Sequence, residues 1–272
     1  MNLLRTIYIF YTVLFLFLLS SGCGGGDDYS GEPKIPAEKI SRDIFLFSCV
    51  YEIFENGKDI GTEIVETYLL ENGNRLIKSE AILDYGYKYQ HRAEIYTDAE
   101  WKFKSAEVRL HGGGITRLMK LAIEGDVYSC SLSTGDGRVK TYEFPAGDFP
   151  VLKYDLAAFD IPLFRYLPSE QARPIELKTL LIEAKTLKAF KSVFKYRYIA
   201  EDTIEFKPGT IRAREIIESD HQGQNQKFYW VDYNGVPLSC GKRKDSDYHY
   251  RIKEYIRGDK AKAVDFPPGG NQ

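Results

Sequence analysis

The sequence predicts a mainly β protein: one large curved antiparallel sheet, a half-barrel or open barrel meander, with a short helical or irregular insert. Three observations predict it. From Arg42 onward, apolar and polar residues alternate with a period of two, the pattern of a sheet with one buried face. Turn residues interrupt that pattern at intervals of roughly 8–12 residues, as in hairpin-rich all-β chains. Finally, 20 Tyr and 16 Phe against 2 Met is a composition suited to pleated, half-buried surfaces.

The chain opens on a segment that precedes the fold. Met1–Thr6 is short and polar and carries Arg5, and Ile7–Leu19 is an apolar run. A membrane-crossing helix needs about 20 apolar residues. This run is shorter and has the length of a secretory core, roughly 7–15 residues. Small residues Ser20, Ser21 and Gly22 follow, and then Cys23. Residues 1–22 are expected to be a signal peptide. Gly24–Glu38 is rich in Gly, Asp and Pro and has no apolar periodicity, so residues 23–41 read as a flexible linker.

The strands come in order. Ile44–Glu55 places Phe45, Phe47, Cys49, Tyr51 and Ile53 on one face. Asn56-Gly57 turns it, since both residues accept positive φ, and Thr62–Leu70 returns. Arg75–Asp84 follows the Asn72-Gly73-Asn74 turn. Tyr87–Thr97 pairs with Trp101–His111, Ile115–Glu124 with Val127–Thr134, and Arg138–Phe144 ends the first half.

Pro145–Pro174 breaks the rhythm with five prolines around the apolar stretch Leu156–Leu167. It is too apolar for a solvated loop and too interrupted for strands. It is expected to be the insert, with a helix near Asp155–Phe159, packed on the sheet. The meander resumes with Ile175–Ala184, Lys188–Ile199, Thr203–Lys207, Thr210–Ser219, Lys227–Asp232, Val236–Lys242 and Tyr248–Ile256. Residues 42–258 thus form a single antiparallel β domain, and residues 259–272 a disordered tail. A sheet of more than about ten strands curls or closes.

Two resemblances attach to particular residues. Leu19-Ser20-Ser21-Gly22-Cys23 resembles a bacterial lipoprotein signal, although Ser20 stands where that signal has an aliphatic residue. The resemblance implies diacylglycerol on the Cys23 thiol, cleavage before Cys23 and anchoring of the domain in the cell envelope. Gly24 after the cysteine resembles the outer-membrane default, which implies an outer-membrane protein facing the periplasm. An ordinary secreted protein, or an uncleaved signal anchor, is the alternative. Tyr196-Arg197-Tyr198, Lys207-Pro208-Gly209-Thr210 and Tyr229–Leu238 resemble uncharacterised bacterial envelope domains, themselves similar to the half-barrel of periplasmic lipoprotein carriers. This second likeness covers the last third of the chain closely and implies no catalytic residues.

Composition excludes some functions. With 37 Lys plus Arg against 39 Asp plus Glu there is no basic block for nucleic acid. His111-Gly112-Gly113-Gly114 matches an esterase oxyanion loop, but the required G-x-S-x-G elbow is missing, so a β-turn is the better reading. Gly235–Lys242 has the wrong spacing for a phosphate loop. His91, His111, His221 and His249 are scattered without metal-ligand spacing, so no metal and no cofactor is expected. Once Cys23 is acylated, Cys49, Cys130 and Cys240 leave at most one disulfide, and three buried thiols are the favoured reading. Lys185–Arg197 is a basic strand that reads as a solvated face or, less simply, as a surface for anionic lipid.

The expected function is a non-enzymatic, membrane-anchored envelope lipoprotein that binds or carries a lipid-like or other apolar ligand. Phe45, Phe47, Tyr51, Leu156, Phe159 and Phe164 are the candidate apolar ligand surface; the same aromatics could instead fill a closed core. The alternative is a structural or assembly lipoprotein that binds another envelope protein through a sheet edge. A hydrolase with a site invisible in sequence is a third possibility.

Overall fold

The computed structural model describes residues 43–145, 151–168, 173–183, 187–206, 209–243 and 246–258. All belong to one compact unit, Ser41–Gln272. The expected signal peptide, Cys23, the linker up to Ser41 and the tail 259–272 lie outside the described residues.

Among the described residues, fifteen strands form one sheet, and one helix accompanies it. The strands are β1 (Ile44–Glu55), β2 (Lys58–Leu69), β3 (Arg75–Asp84), β4 (Lys88–Thr97), β5 (Phe103–Gly112), β6 (Ile115–Glu124), β7 (Val127–Thr134), β8 (Val139–Pro145), β9 (Val151–Tyr154), β10 (Ile175–Ile182), β11 (Ala189–Phe206), β12 (Gly209–Asp220), β13 (Lys227–Asp232), β14 (Pro237–Arg243) and β15 (Ser246–Arg257). The helix is α1 (Ala157–Tyr166).

The spatial order runs from β8 back to β1, across to β15, then back to β9. First and last strands therefore pair in the middle of the sheet, with Ile53 opposite Tyr250 and Phe47 opposite Arg257. The sheet's two edges are β8 and β9, which are neighbours in sequence. Residues 146–150 connect them, and so short a segment spans at most about 20 Å. The edges must face each other across a seam. Lys191 of β11 bridges toward it, its Nζ 5.9 Å from the ring centroid of Phe144 on β8. The result is a curved sheet that is barrel-like but open, as expected from its width.

Two differences from the expected strands have clear causes. Lys188–Ile199 and Thr203–Lys207 are one strand, β11, whose pairing with β12 runs on past a register shift between Tyr198 and Ala200. Its polar stretch Ala200-Glu201-Asp202 looks like a turn in sequence, but beyond a bulge at Ile199 these residues pair with Glu215, Arg214 and Ala213. Second, β9 lies inside the expected insert and pairs parallel to β10. Parallel neighbours need a crossover; α1 supplies it, carrying the chain from the end of β9 back to the start of β10.

α1 lies within the curve of the sheet. It touches β9, β14, β2 and β3, strands from both arms. Ala157 to Phe164 are all buried, so this part of the helix is apolar all round except for Asp160. Pro162 sits inside it and gives up one backbone donor. Leu156 at the N-cap offers no side-chain cap. Glu63, fully buried on β2, takes that role: Oε2 accepts from the Ala157 N–H at 2.8 Å, and Oε1 from the Ala158 N–H at 3.2 Å and the Ser79 hydroxyl at 2.7 Å. Two positions show how tightly the sheet bends. Gly61 has φ +148°, and a Cβ there would stand 1.9 Å from the Ile82 carbonyl oxygen. In β1, a bulge between Phe45 and Phe47 buries both Leu46 and Phe47, and moves Phe45 off the inward face shared by Phe47, Cys49, Tyr51 and Ile53.

The two ends of the curve differ. At one end Trp101, buried with φ 64°, is flanked by the Arg75 and Arg165 guanidiniums at 5.3 and 4.7 Å from its ring centroid. The Asn234-Gly235 turn closes on the same arginine, since a Cβ on Gly235 would lie 2.8 Å from Arg165 Cδ. The other end, where β1 turns into β2 and β9 into α1, holds a cavity.

Candidate binding site

Of the six residues expected to form an apolar ligand surface, five are placed in the core and Phe45 lies off it. Phe47 packs edge-on against Tyr255 at 6.1 Å, and Tyr51 against Tyr250 at 5.4 Å. Phe159 lies 4.9 Å from Tyr154, Phe164 lies 4.9 Å from Tyr229, and Leu156 is buried beside them. Phe45 is half-buried against Tyr68. None of the six lines the cavity. The helix fills the space that an empty half-barrel would leave for a ligand. Room remains beyond the N-terminal end of α1.

That room amounts to about 690 Å³, within the range of about 300–1,000 Å³ typical of ligand sites. Its lining is mixed: Phe54, Tyr85, Leu181, Phe190, Phe194 and Tyr248 supply the aromatic and aliphatic part, and Glu55, Asp155, Glu183, Lys242 and Asp247 also border it. Its floor is ionic. Lys153 comes from β9, Asp160 from α1, Glu218 from β12, Lys227 from β13, and His249 and Tyr250 from β15.

Lys153 stands between buried Leu152 and Tyr154 in β9 and is itself only 4 % exposed. Its ammonium donates to Glu218 and, at 2.9 Å, to the Tyr229 hydroxyl. It also lies 4.9 Å from the Phe194 ring centroid. Burial alone would raise the Glu218 carboxyl, but the Lys153 and Lys227 charges outweigh it and hold it below its ordinary value. Asp160, 3 % exposed, accepts from the Tyr250 hydroxyl at 2.8 Å through Oδ2, while its buried Oδ1 has no partner. Burial pushes its pKa up to about 6. Burial also works against charge on Lys227, yet Cys240, Glu218, Asp155 and Asp160 around it outweigh that effect and raise its pKa. His249 is pushed down to about 4 by burial, and so is His91, whose Nδ1 meets the Tyr154 hydroxyl at 2.6 Å behind the wall. Both imidazoles are neutral at pH 7. The Cys240 thiol is pushed up to about 12 by burial.

The arrangement suits binding: fixed charges beside apolar lining, with its thiol and imidazole held uncharged. Among the described residues no group of three or more His, Cys, Asp or Glu is placed to hold a metal ion. Cys49, Cys130 and Cys240 are all free and buried. His111 belongs to a hairpin, its Nδ1 2.9 Å from Thr116 Oγ1. A Cβ on Gly112 would stand 2.4 Å from the Lys88 carbonyl oxygen, so these glycines serve the turn.

The floor residues were not among the expected site residues. A signal for two of them exists in sequence. Asp160 is the lone charge within Leu156–Phe164, and Lys153 stands between Leu152 and Tyr154. Glu218 and Lys227 lie among other charged strand residues, and no local feature distinguishes them.

No family model matches the sequence, and no curated protein matches it. Two solved structures are similar to it. One is a β-barrel-like protein of the domain of unknown function DUF1849 from Brucella abortus: 9% identity, 79% of this chain and 99% of that one covered, TM-score 0.50. The other is a DUF1089 family protein from Pseudomonas aeruginosa: 17% identity, 68% and 91% covered, TM-score 0.47. The first likeness establishes a β-barrel-like fold and nothing about activity.

Proposed function

We propose that this protein is a membrane-anchored lipoprotein of the bacterial cell envelope, held by acyl chains on Cys23, whose β domain binds an amphipathic ligand rather than catalysing a reaction. The outer membrane, with the domain facing the periplasm, is the proposed location. The observation that carries the binding reading is the cavity of about 690 Å³ with aromatic lining beside an ionic floor. A purely apolar ligand fits less well than expected from sequence. Lys153, Glu218, Asp160 and Lys227 line the bottom, and a hydrocarbon there would leave charges unsolvated. The anchor rests on the leader and Cys23, and two or more acyl chains make such anchoring stable.

Protein extracted from its native membrane, examined by native mass spectrometry, should carry a small amphipathic molecule in addition to its own acyl groups. Recovery of ligand-free protein under conditions that preserve a control carrier's cargo would refute the binding reading. For the anchor, Cys23→Ala should move the protein from membrane to soluble fractions. Retention in the membrane after high salt and carbonate would refute it.

A second reading, an assembly lipoprotein that docks an envelope protein on a sheet edge, is favoured by β8. It is an edge strand with mostly exposed side chains, Val139 being 63 % exposed. A pull-down partner lost on Val139→Pro would support it over the first.

A further inference from the structure

The cavity floor carries polar groups that the protein itself leaves unfilled. Lys153 and Glu218 are not among them, since they pair with each other and with Tyr229. Asp160 is different. Tyr250 satisfies Oδ2, but Oδ1 is shut away from solvent without a partner. His249 Nε2 is in the same condition. Lys227 lines the same cavity, and among the described residues none forms an ion pair or hydrogen bond with its ammonium. A buried donor or acceptor left unmade is costly, so such groups in one cavity mark where a ligand's polar atoms belong.

The chemistry of the floor narrows the ligand. An ammonium offers three donors and a positive charge, and a carboxylate oxygen offers an acceptor. Their complement is an anionic oxygen group next to a hydroxyl. Phe54, Leu181, Phe194 and Tyr248 supply apolar lining in the same cavity. Resting on the reading of this cavity as a binding site, we propose that its ligand is an acyl carboxylate with a hydroxyl close to the carboxylate. The carboxylate sits on Lys227, the hydroxyl donates to Asp160 Oδ1, and the chain runs along the apolar lining toward the opening. A cationic head, drawn to Asp160, is the competing chemistry. It is less favoured because the Tyr250 hydroxyl already satisfies one Asp160 oxygen, whereas the Lys227 ammonium has no hydrogen-bond or ion-pair partner among the described residues.

The test is calorimetric titration of the full chain bearing Cys23→Ala, so that no acyl group of its own competes. The probes share a ten-carbon chain: 3-hydroxydecanoate, decanoate and decyltrimethylammonium, all below their micelle concentrations. Decanoate should bind at least about tenfold more tightly than decyltrimethylammonium, the effect of one charge-assisted contact. The 3-hydroxyl should add about fivefold, as one neutral hydrogen bond does. Lys227→Met should erase the preference for carboxylate, and Asp160→Asn the gain from the hydroxyl; urea midpoints would verify that both variants fold. Equal affinity for all three probes, or preference for the cation, would overturn the head-group assignment while leaving the binding reading intact. No binding of any probe would overturn both.

Discussion

Glu63 offers the sharpest test of how α1 is held inside the sheet. Its carboxylate is fully buried and caps a helix start that has no cap of its own. Burial raises its pKa from the ordinary 4.5 to about 7, the hydrogen bonds from Ser79, Ala157 and Ala158 offsetting part of that effect. The sign follows from linkage. An acid whose folded pKa is raised stabilises the fold fully below its unfolded pKa, and loses that contribution as pH rises to the folded value. Between about pH 4.5 and 7 the unfolded chain has released this proton and the folded one still holds it. At about 1.4 kcal/mol for each pH unit, the loss is about 3 kcal/mol in all, most of it above pH 5. Glu63→Gln cannot titrate. The amide also places an N–H₂ among three donors, so its stability should be lower at acidic pH. The informative quantity is the pH dependence. Urea unfolding, followed through buried Trp101 and Trp230, should show the parent losing about 2–3 kcal/mol more than the variant between pH 5 and pH 8. Asp160, raised from 3.8 to about 6, contributes its own loss at lower pH in both proteins. If Glu63→Gln retains the parent's full pH dependence, Glu63 is not held protonated and the account of its burial is wrong.

Two further outcomes test the cavity floor and the core. Lys153→Met takes away the ammonium paired with the buried Glu218 carboxylate, leaving it the Tyr229 hydroxyl and the Lys227 charge, and should cost about 3 kcal/mol at pH 7; adding Glu218→Gln should recover part of it, and urea midpoints would measure both. With Cys23 replaced by alanine, the native protein at pH 8 should be inert to Ellman's reagent. Burial raises all three remaining thiols, Cys130 to about 11 and Cys240 to about 12. Unfolding in guanidinium chloride should release the reactivity of Cys49, Cys130 and Cys240 together, and a fast native phase would refute their burial.

What could be read from sequence was local. Asn56-Gly57 and Asn234-Gly235 are turns because their backbones accept positive φ, and the structure has Asn56 at φ 53° and Gly235 at φ 75°. Alternation placed Phe47, Cys49, Tyr51 and Ile53 on one buried face. It failed at Phe45, where a bulge shifts the register by one residue and reverses which side chain points inward. The apolar, proline-broken stretch around Leu156–Leu167 was legible as an element packed on the sheet. The four-residue strand β9 was not, since so short a run carries no detectable period and its partner β10 lies beyond the helix.

The candidate site was less legible than the fold. Aromatic residues were the natural guess for a ligand surface, but aromatics on an inward face are also what a core consumes. Phe159 and Phe164 went to the core because α1 occupies the lumen. The floor of the cavity is assembled from five elements, β9, α1, β12, β13 and β15, which meet only when the sheet curls.

The sequence by itself determined the hairpins, the alternating faces and the apolar insert, because each depends on residues that are close along the chain. Only the tertiary structure decided that β1 joins β15, that the seam opens between β8 and β9, and that Glu63 caps α1. The same holds for the cavity, whose bottom is ionic rather than greasy. Those features depend on pairings between distant segments, and on whether a charge such as Lys153 finds a partner such as Glu218, which no local pattern records.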